Sequence, residues 1–326
     1  MVTLQRLAIV ALLLVVCLPA AAGPAGPVEI RIGHGFAAEE QLWLMAARPD
    51  ITPNQGKVYT LKLTAFRASA DRLSAYEARQ LDGGTITGAT ALFAAEQGVP
   101  LTLMASASRE VAGGNYHNTT YLALADSGIR SVRDLRGKTI GIVDFKSSTD
   151  MWARAAVESA GLEPSRDVNY VVIPFPAMGV ALRGRRIDVG AFPQPFYIAE
   201  RTRGGVVEVF TSKTGVPFDE DLIMLFFHPE FVQKNNAAVR AFLRDFVVAT
   251  RWYLQNTREA RQALIDKRFV LTPAEVYLDM QDWFREPTGR ISAEGLRRLQ
   301  ELHLKLGWQT KRLDLRKLVD LSLLPY

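Results

Sequence analysis

A short stretch near the middle of the chain places the strongest constraint on the fold. Residues 138–144 have the sequence KTIGIVD, a β-branched apolar run typical of a strand buried on both faces. A loop through Lys146 follows, and a helix is predicted to begin near Ser148. A strand, a short loop and a helix in this order form half of a parallel βαβ unit.

Three consecutive hydroxyl residues, Ser147, Ser148 and Thr149, stand at the predicted start of this helix. The first turn of a helix leaves backbone N–H groups without partners and carries partial positive charge, so it can hold a carboxylate, sulfonate, phosphate or nitrate. Together with Asp150, however, the same residues fit a Ser-x-x-Asp capping box, in which the protein satisfies its own helix end. The residues alone leave both interpretations open.

The first 22 residues, 1–22, predict a secretory signal peptide. Arg6 precedes an apolar run over residues 7–18, and small residues then allow cleavage after Ala22. The run is shorter than the roughly 20 apolar residues of a membrane-spanning helix. The only cysteine, Cys17, lies inside it, so the mature chain is expected to form no disulfide and to carry out no thiol chemistry. We therefore expect an exported, soluble protein.

The composition is that of an ordinary globular protein. With 326 residues, 48% of them hydrophobic, the chain is long enough for two domains or lobes. Its formal net charge is +5, but the basic residues are scattered. The densest groups, at 183–186 and 297–298, are too short to predict a nucleic-acid surface, so we expect no nucleic-acid partner.

Hydrophobic periodicity divides the mature chain into alternating elements. From Val28 to Ser106 the predicted order is β-α-β-α-β-α-β, which indicates a parallel sheet with helices on both faces. A second, smaller βαβαβ block surrounds the stretch at 138–152. From about Pro229 the pattern becomes helical to the end of the chain. The fold class is therefore α/β with a helical C-terminal part.

Several loops carry candidate ligand-binding residues in addition to the hydroxyl cluster. Gly35 and Phe36 follow the first strand, and the polar insertion that includes Asn115 and Tyr116 can reach a ligand or remain a solvated loop. The rigid turn Phe192-Pro193-Gln194 ends another strand. Phe36 can cover a ligand or fill the core, and the residues do not decide between these roles.

Particular phrases of the sequence resemble a known family. These phrases are SGIRSVRDLRGK at 127–138, the hydroxyl-rich helix start, residues 156–161, Asp167-Val168, and ALRGRRID at 181–188. Together they are similar to the type II periplasmic solute-binding proteins of ABC transporters, in the nitrate, sulfonate and taurine branch, which is also similar to thiamine-precursor-binding proteins. The resemblance covers nearly the whole mature chain.

The resemblance implies two α/β lobes, each a mostly parallel sheet flanked by helices, with a ligand in the cleft between them. The larger lobe would comprise residues 28–118 and 217–326, and the smaller lobe residues 119–216. The residues that it places at the cleft are Gly35, Phe36, Gly88, Thr90, Ser147, Ser148, Thr149, Phe192, Pro193 and Gln194. One position departs from the family pattern, because Thr87 stands where an acidic residue is usual.

The expected function is that of a periplasmic protein that captures a small organic anion and delivers it to an ABC permease. We expect a monomer that uses no cofactor and no metal. Two alternatives are an enzyme of the same fold, related to thiamine or menaquinone assembly, and a ligand-sensing module for a receptor. The enzyme is disfavoured because the four histidines have no metal-ligand spacing and the mature chain has no cysteine. No catalytic residue is predicted.

Overall fold

The computed structural model describes residues 26–67 and 69–325, so the predicted signal peptide lies outside the described residues. Ten strands form the sheets: β1 (Val28–His34), β2 (Tyr59–Ala65), β3 (Gly83–Thr87), β4 (Thr102–Glu110), β5 (Thr120–Leu124), β6 (Thr139–Ile142), β7 (Asn169–Val172), β8 (Val189–Phe192), β9 (Val206–Thr211) and β10 (Glu220–Phe227).

The helices that carry or support the candidate site follow β-strands in the first two thirds of the chain: α1 (Glu40–Ala47), α2 (Ser69–Glu77), α3 (Gly88–Glu96), α4 (Ser148–Ser159), α5 (Phe175–Arg183) and α6 (Phe196–Arg203). The C-terminal part is helical, as predicted: α7 (Pro229–Lys234), α8 (Asn236–Gln255), α9 (Thr257–Asp266), α10 (Ala274–Tyr277), α11 (Ala293–Lys305) and α12 (Leu315–Leu318). No helix among the described residues is long and apolar enough to cross a membrane.

The strands form two five-stranded sheets with the same topology. The first has the order β2-β1-β3-β10-β4 and the second β7-β6-β8-β5-β9. In each sheet the first three strands pair in parallel, whereas the fourth, β10 or β5, pairs antiparallel with both of its neighbours. Four strands of each sheet therefore point the same way, and the predicted α/β class with mostly parallel sheets is confirmed.

Two segments connect the sheets: residues 111–119 lead from β4 to β5, and residues 212–219 lead from β9 back to β10. The buried carboxylate of Glu110 accepts hydrogen bonds from the backbone N–H of Thr119 at 3.0 Å and from the hydroxyl of Ser212 at 2.7 Å. Because Glu110 ends β4, this one carboxylate joins both connecting segments to the first sheet.

The C-terminal helices cover the first sheet and complete its core. Helix α8 shows the expected three- and four-residue spacing, and Val239, Phe242, Leu243 and Phe246 are fully buried. The ring of Phe242 packs edge-on against Phe227 of β10, with 5.6 Å between ring centroids. Burial of apolar side chains of this size contributes about 1.5–3 kcal/mol each. This packing fixes β10, and with it the wall of the cleft that β10 supplies.

Candidate ligand-binding cleft

A cavity of about 80 Å³ lies between the two sheets. A buried water needs about 10–15 Å³, so the space suits a small solute rather than one water molecule. The first sheet contributes residues that follow β1 and β2, the last residue of β3 and two residues of β10, and the second contributes residues that follow β6, β7 and β8. The carboxyl ends of parallel strands are where open α/β sheets bind ligands.

The start of α4 forms one wall of the cavity, and two of its three hydroxyls serve the protein itself. Ser147 is the N-cap residue, and its side chain accepts a hydrogen bond from Asp150 N at 3.4 Å. The hydroxyl of Thr149 accepts a hydrogen bond from Val143 N at 3.0 Å and lies 2.9 Å from the hydroxyl of Ser147. Predicted capping by Ser147 is therefore confirmed, although the Asp150 carboxylate accepts from Lys146 N and not from Ser147 N.

Ser148 differs from its two neighbours. Its hydroxyl makes no hydrogen bond to any residue that the structure describes, and the same holds for the backbone N–H groups of Ser148 and Thr149. Both residues line the cavity and are almost fully buried. Three donors at the positive end of a 12-residue helix therefore border a partly enclosed space without an acceptor from the described residues.

The opposite wall contains a buried pair of charges, Arg72 on α2 and Glu39 just before α1. Their closest atoms, Arg72 Nη1 and Glu39 Oε1, are 3.6 Å apart, and the side chains are 5% and 1% exposed. Burial lowers the pKa of Arg72 and raises that of Glu39, and in each residue the partner's charge opposes the shift. Arg67, which is exposed, adds a second positive charge to the lining.

Aromatic side chains complete the cavity, and they come from both sheets. Phe36 and Phe66 follow β1 and β2, whereas Trp152 lies on α4 and Phe175 begins α5. Phe36 is 37% exposed, so its ring does not fill the hydrophobic core. The lining thus combines hydrogen-bond donors and net positive charge with apolar surface, a combination that suits an organic anion.

Six of the residues predicted from the sequence line this cavity, and they come from the loops after β1, β6 and β8: Gly35, Phe36, Ser147, Ser148, Thr149 and Pro193. Their role in ligand binding stays a prediction. The position of Thr87 also lines the cavity, and its hydroxyl caps α3 by accepting a hydrogen bond from Thr90 N.

Gly88 and Thr90 are not among the residues that line the cavity. Gly88 is packed against α11, since a Cβ atom built there would lie 2.5 Å from Leu299 Cδ2. The hydroxyl of Thr90 lies 3.0 Å from that of Thr87, within the cap of α3. Gly88 thus lets α3 pack closely against α11, and Thr90 belongs to the cap of α3.

The remaining four predicted residues are also not among those that line the cavity. Asn115 accepts a hydrogen bond from Gln281 at 2.9 Å, and the ring of Tyr116 packs edge-on against Phe284. Phe192 is buried in the core of the second sheet, and Gln194 accepts a hydrogen bond from Ile198 N at 3.3 Å. These contacts within the protein account for the position of each of the four side chains, and a ligand is not needed to explain it.

Sequence reasoning missed Arg72 and Glu39, the only buried charged residues of the described lining. No local pattern distinguishes them from surface residues of amphipathic helices. The signal that could have found them is the set of glycines at the ends of β1 and β3, because the stem of Arg72 lies against Gly33 and Gly84. Among the described residues, no group of three or more histidine, cysteine, aspartate or glutamate side chains is arranged to hold a metal ion.

Residues 23–266 match the sequence model of the NMT1-like family. The chain belongs to this family. The match includes both sheets up to β10 and the whole candidate cleft. No curated protein sequence matches the chain.

Solved structures with the same fold come from periplasmic binding proteins. The alkanesulfonate-binding protein SsuA of Xanthomonas axonopodis pv. citri, bound to MOPS, is 19% identical with a TM-score of 0.75, and the match covers 91% of this chain and 100% of that one. The nitrate-binding protein NrtA of Synechocystis is 13% identical with a TM-score of 0.74, over 91% and 87% of the two chains.

A third solved structure is the ligand-binding component of an ABC-type import system from Staphylococcus aureus with zinc bound. It is 14% identical to this chain with a TM-score of 0.75, and the match covers 91% and 97% of the two chains. The TM-scores of these three structures establish a shared fold. The predicted resemblance to type II periplasmic solute-binding proteins is thus confirmed for the fold, and the family is the NMT1-like family.

Proposed function

We propose that this protein is a solute-binding protein that captures a small organic anion, a sulfonate or carboxylate with an apolar or aromatic part, between its two sheets and delivers it to an ABC permease. The observation that carries the proposal is the start of α4, where the backbone N–H groups of Ser148 and Thr149 border the cavity and have no acceptor among residues 26–67 and 69–325. A bound anion would supply the missing acceptors.

The charges and apolar surface of the cavity support an organic anion over an inorganic one. Arg67 and Arg72 outnumber Glu39 in the lining, so the formal charge there is positive. Phe36, Trp152 and Phe175 offer more apolar surface than a nitrate ion can contact. The structural relatives SsuA and NrtA are binding proteins for alkanesulfonate and nitrate, which is consistent with an anion here.

The proposal assigns residues 1–22 to a cleaved signal peptide and places the mature protein in the periplasm as a monomer. It assigns residues 28–118 and 217–326 to the larger lobe and residues 119–216 to the smaller one. Ligand binding would stabilise the closed arrangement of the lobes through contacts made by both, with the two connecting segments as the hinge. The protein would perform no reaction on its ligand.

The experiment is a thermal-shift screen of the mature protein against sulfonates, nitrate, aliphatic and aromatic carboxylates and pyrimidines, followed by calorimetric titration. A saturable rise in melting temperature with an organic anion is expected, since a ligand that binds only the folded state stabilises it. Unchanged ligand on recovery would exclude an enzyme, and ligand-dependent uptake lost in a deletion strain would identify transport. A shift with neutral or cationic compounds alone would contradict the proposal.

A further inference from the structure

The loop between β6 and α4 reaches from the second sheet to a helix of the first. Val143 in this loop lines the cavity together with Ser69, the first residue of α2. The half-buried Asp144 comes next, and its carboxylate accepts a hydrogen bond from the backbone N–H of Ala70. Since α2 follows β2 of the first sheet, this hydrogen bond crosses from one proposed lobe to the other.

The sequence gives α2 no capping side chain at the position before the helix. Helix α2 begins at Ser69, and the preceding residue is Ala68, whose methyl side chain cannot accept a hydrogen bond. A capping side chain accepts from the N–H of the second or third helical residue, and aspartate is among the best residues in this role. Ala70 is the second residue of α2. Asp144 therefore caps α2, and it does so from the opposite lobe.

The main chain of Asp144 is bonded to the helix that offers donors to the cavity. The hydroxyl of Ser147 donates a hydrogen bond to the carbonyl oxygen of Asp144 at 2.7 Å. Ser147 is itself the N-cap residue of α4, and its hydroxyl lies 2.9 Å from that of Thr149. The side chain of Asp144 is thus held at the start of α2, and its carbonyl at the start of α4. The two helix starts that border the cavity are joined through this one residue.

Lys146, in the same loop, makes a second contact between the lobes. Its Nζ atom lies 4.3 Å from the centre of the Phe93 ring, which belongs to α3 of the first sheet. The backbone of Lys146 has φ 58°, in the left-handed region that costs energy for a residue with a side chain. Its N–H donates to Asp150 Oδ2 at 2.9 Å. Contacts with both lobes therefore hold the loop in a strained conformation.

We propose that Asp144 is a positioning residue of the cleft: by capping α2 from the smaller lobe it stabilises the closed arrangement of the two lobes before any ligand is bound, and it holds the start of α4 towards the cavity. This inference rests on the closure of two lobes in the proposed function, but it concerns contacts within the protein and needs no anion.

The environment of Asp144 indicates that the hydrogen bond, and not the charge, holds the lobes together. Partial burial raises the pKa of the Asp144 carboxyl, the N–H groups of Phe145 and Ala70 oppose this shift, and the charge of Asp71 adds to it. The negative charge is therefore not favoured in the closed arrangement. Asparagine caps helices as well as aspartate does, so Asp144→Asn should keep the contact, and Asp144→Ala should lose it.

The test measures the distance between two spin labels, by double electron–electron resonance, in the mature protein without ligand. The labels are attached at Glu77→Cys on α2 and Ala177→Cys on α5, which are exposed positions on the two lobes. The predicted mature chain has no cysteine of its own to react with the label. Asp144→Ala is expected to lower the ratio of closed to open molecules about fivefold, the effect of one capping hydrogen bond. Asp144→Asn should keep the wild-type ratio.

Asp126→Ala is the matched control. Asp126 is an exposed aspartate of the smaller lobe, and its ion pair with Arg185, at 2.7 Å, stays within that lobe. This variant should leave the label distances unchanged. Equal distance distributions in wild type and Asp144→Ala overturn the proposal, because a purely local role of Asp144 would change only the unfolding free energy. Equal opening in Asp144→Asn and Asp144→Ala also overturns it, since the charge would then hold the lobes.

The Ala70 amide decides the question if Asp144→Ala fails to fold. Its hydrogen exchange in the wild-type protein, followed by NMR, is expected to be slowed at least about tenfold relative to an unstructured peptide, and unprotected exchange overturns the capping role.

The outcomes also separate this inference from anion capture. If Asp144→Ala opens the cleft but no organic anion binds in the screen, the role of Asp144 stands and anion capture fails. If anions bind but the closed population does not depend on Asp144, anion capture stands and the role of Asp144 is overturned.

Discussion

The indole of Trp152 donates a hydrogen bond to the carboxylate of Glu220 at 2.6 Å, and this bond joins the helix at the cleft to the first strand residue of β10. Both side chains are buried. The carboxylate oxygen Oε1 of Glu220 also lies 3.0 Å from Lys213 Nζ, and this ion pair balances the charge of Glu220. The helix that offers donors to the cavity is thereby fixed to the opposite sheet.

Trp152→Phe should lower the free energy of unfolding by about 1.5–3 kcal/mol, because it deletes a buried hydrogen bond to a charged group. Urea denaturation measures the change. Trp252→Phe is the control, since that half-buried indole packs beneath Arg48 and makes no hydrogen bond through its nitrogen to the described residues. Equal losses in the two variants would contradict a specific contribution from the bond to Glu220.

Ser148→Ala should weaken anion binding by about 1.5–3 kcal/mol and leave the unfolding free energy unchanged, because the hydroxyl lines the cavity and makes no hydrogen bond within the part of the chain that the structure describes. Titration with the anion found in the screen measures the first effect, and urea denaturation the second.

Ser147→Ala is the matched control at the adjacent position. Its hydroxyl caps α4, so the variant should lose about 1 kcal/mol of stability and keep its affinity per folded molecule. The opposite pattern, lost affinity at 147 and lost stability at 148, would show that the cap and not the free hydroxyl faces the anion.

Gly33→Ala should lower both stability, by about 1–3 kcal/mol, and affinity, because its Cβ would lie 2.7 Å from Leu81 Cδ1 and 2.8 Å from Arg72 Cγ. Gly113→Ala is the control, since a Cβ there meets no heavy atom within 4 Å. Denaturation and titration of both variants measure the effect. Wild-type affinity in Gly33→Ala would show that the position of Arg72 does not matter for binding.

His303→Leu should make stability less dependent on pH. His303 is fully buried, neither ring nitrogen has a hydrogen-bond partner among the described residues, and burial lowers its pKa to about 4. The unfolded chain, with an ordinary histidine pKa of about 6.5, therefore binds more protons, and stability falls as pH drops from about 6.5 towards 4. The shifted pKa of this histidine alone lowers the free energy of unfolding by about 2 kcal/mol at pH 5.

The measurement is urea denaturation of wild type and His303→Leu at pH 7 and pH 5. The loss between these values should be smaller in the variant, and stability at pH 7 should not fall, because a buried imidazole without partners is replaced by an apolar side chain. Burial lowers the pKa of His34 to about 4 and that of His117 to about 3, so some pH dependence persists. An identical loss of stability between pH 7 and pH 5 in wild type and in His303→Leu would show that His303 does not contribute to the pH dependence.

Most of the elements were determined by the sequence itself, although strands β9 and β10 were not predicted. Apolar runs such as residues 139–142 and the helix from Ser148 follow from local periodicity and capping residues, which act over a few positions along the chain. The capping role of Ser147 was likewise among the predicted alternatives. The sequence assigned no strand to residues 220–227, because a wholly buried apolar run without alternation does not distinguish strand from helix.

Only the tertiary structure decided which polar groups face the cavity. Ser147, Ser148 and Thr149 look equivalent in the sequence, yet their hydroxyls have different roles. That of Ser147 caps α4, that of Thr149 accepts from Val143 N, and that of Ser148 makes no hydrogen bond to a described residue. Arg72 and Glu39 meet across 33 positions of chain, and they meet because Gly33 and Gly84 leave room for the arginine stem. Contacts between distant segments depend on packing, which no local pattern encodes.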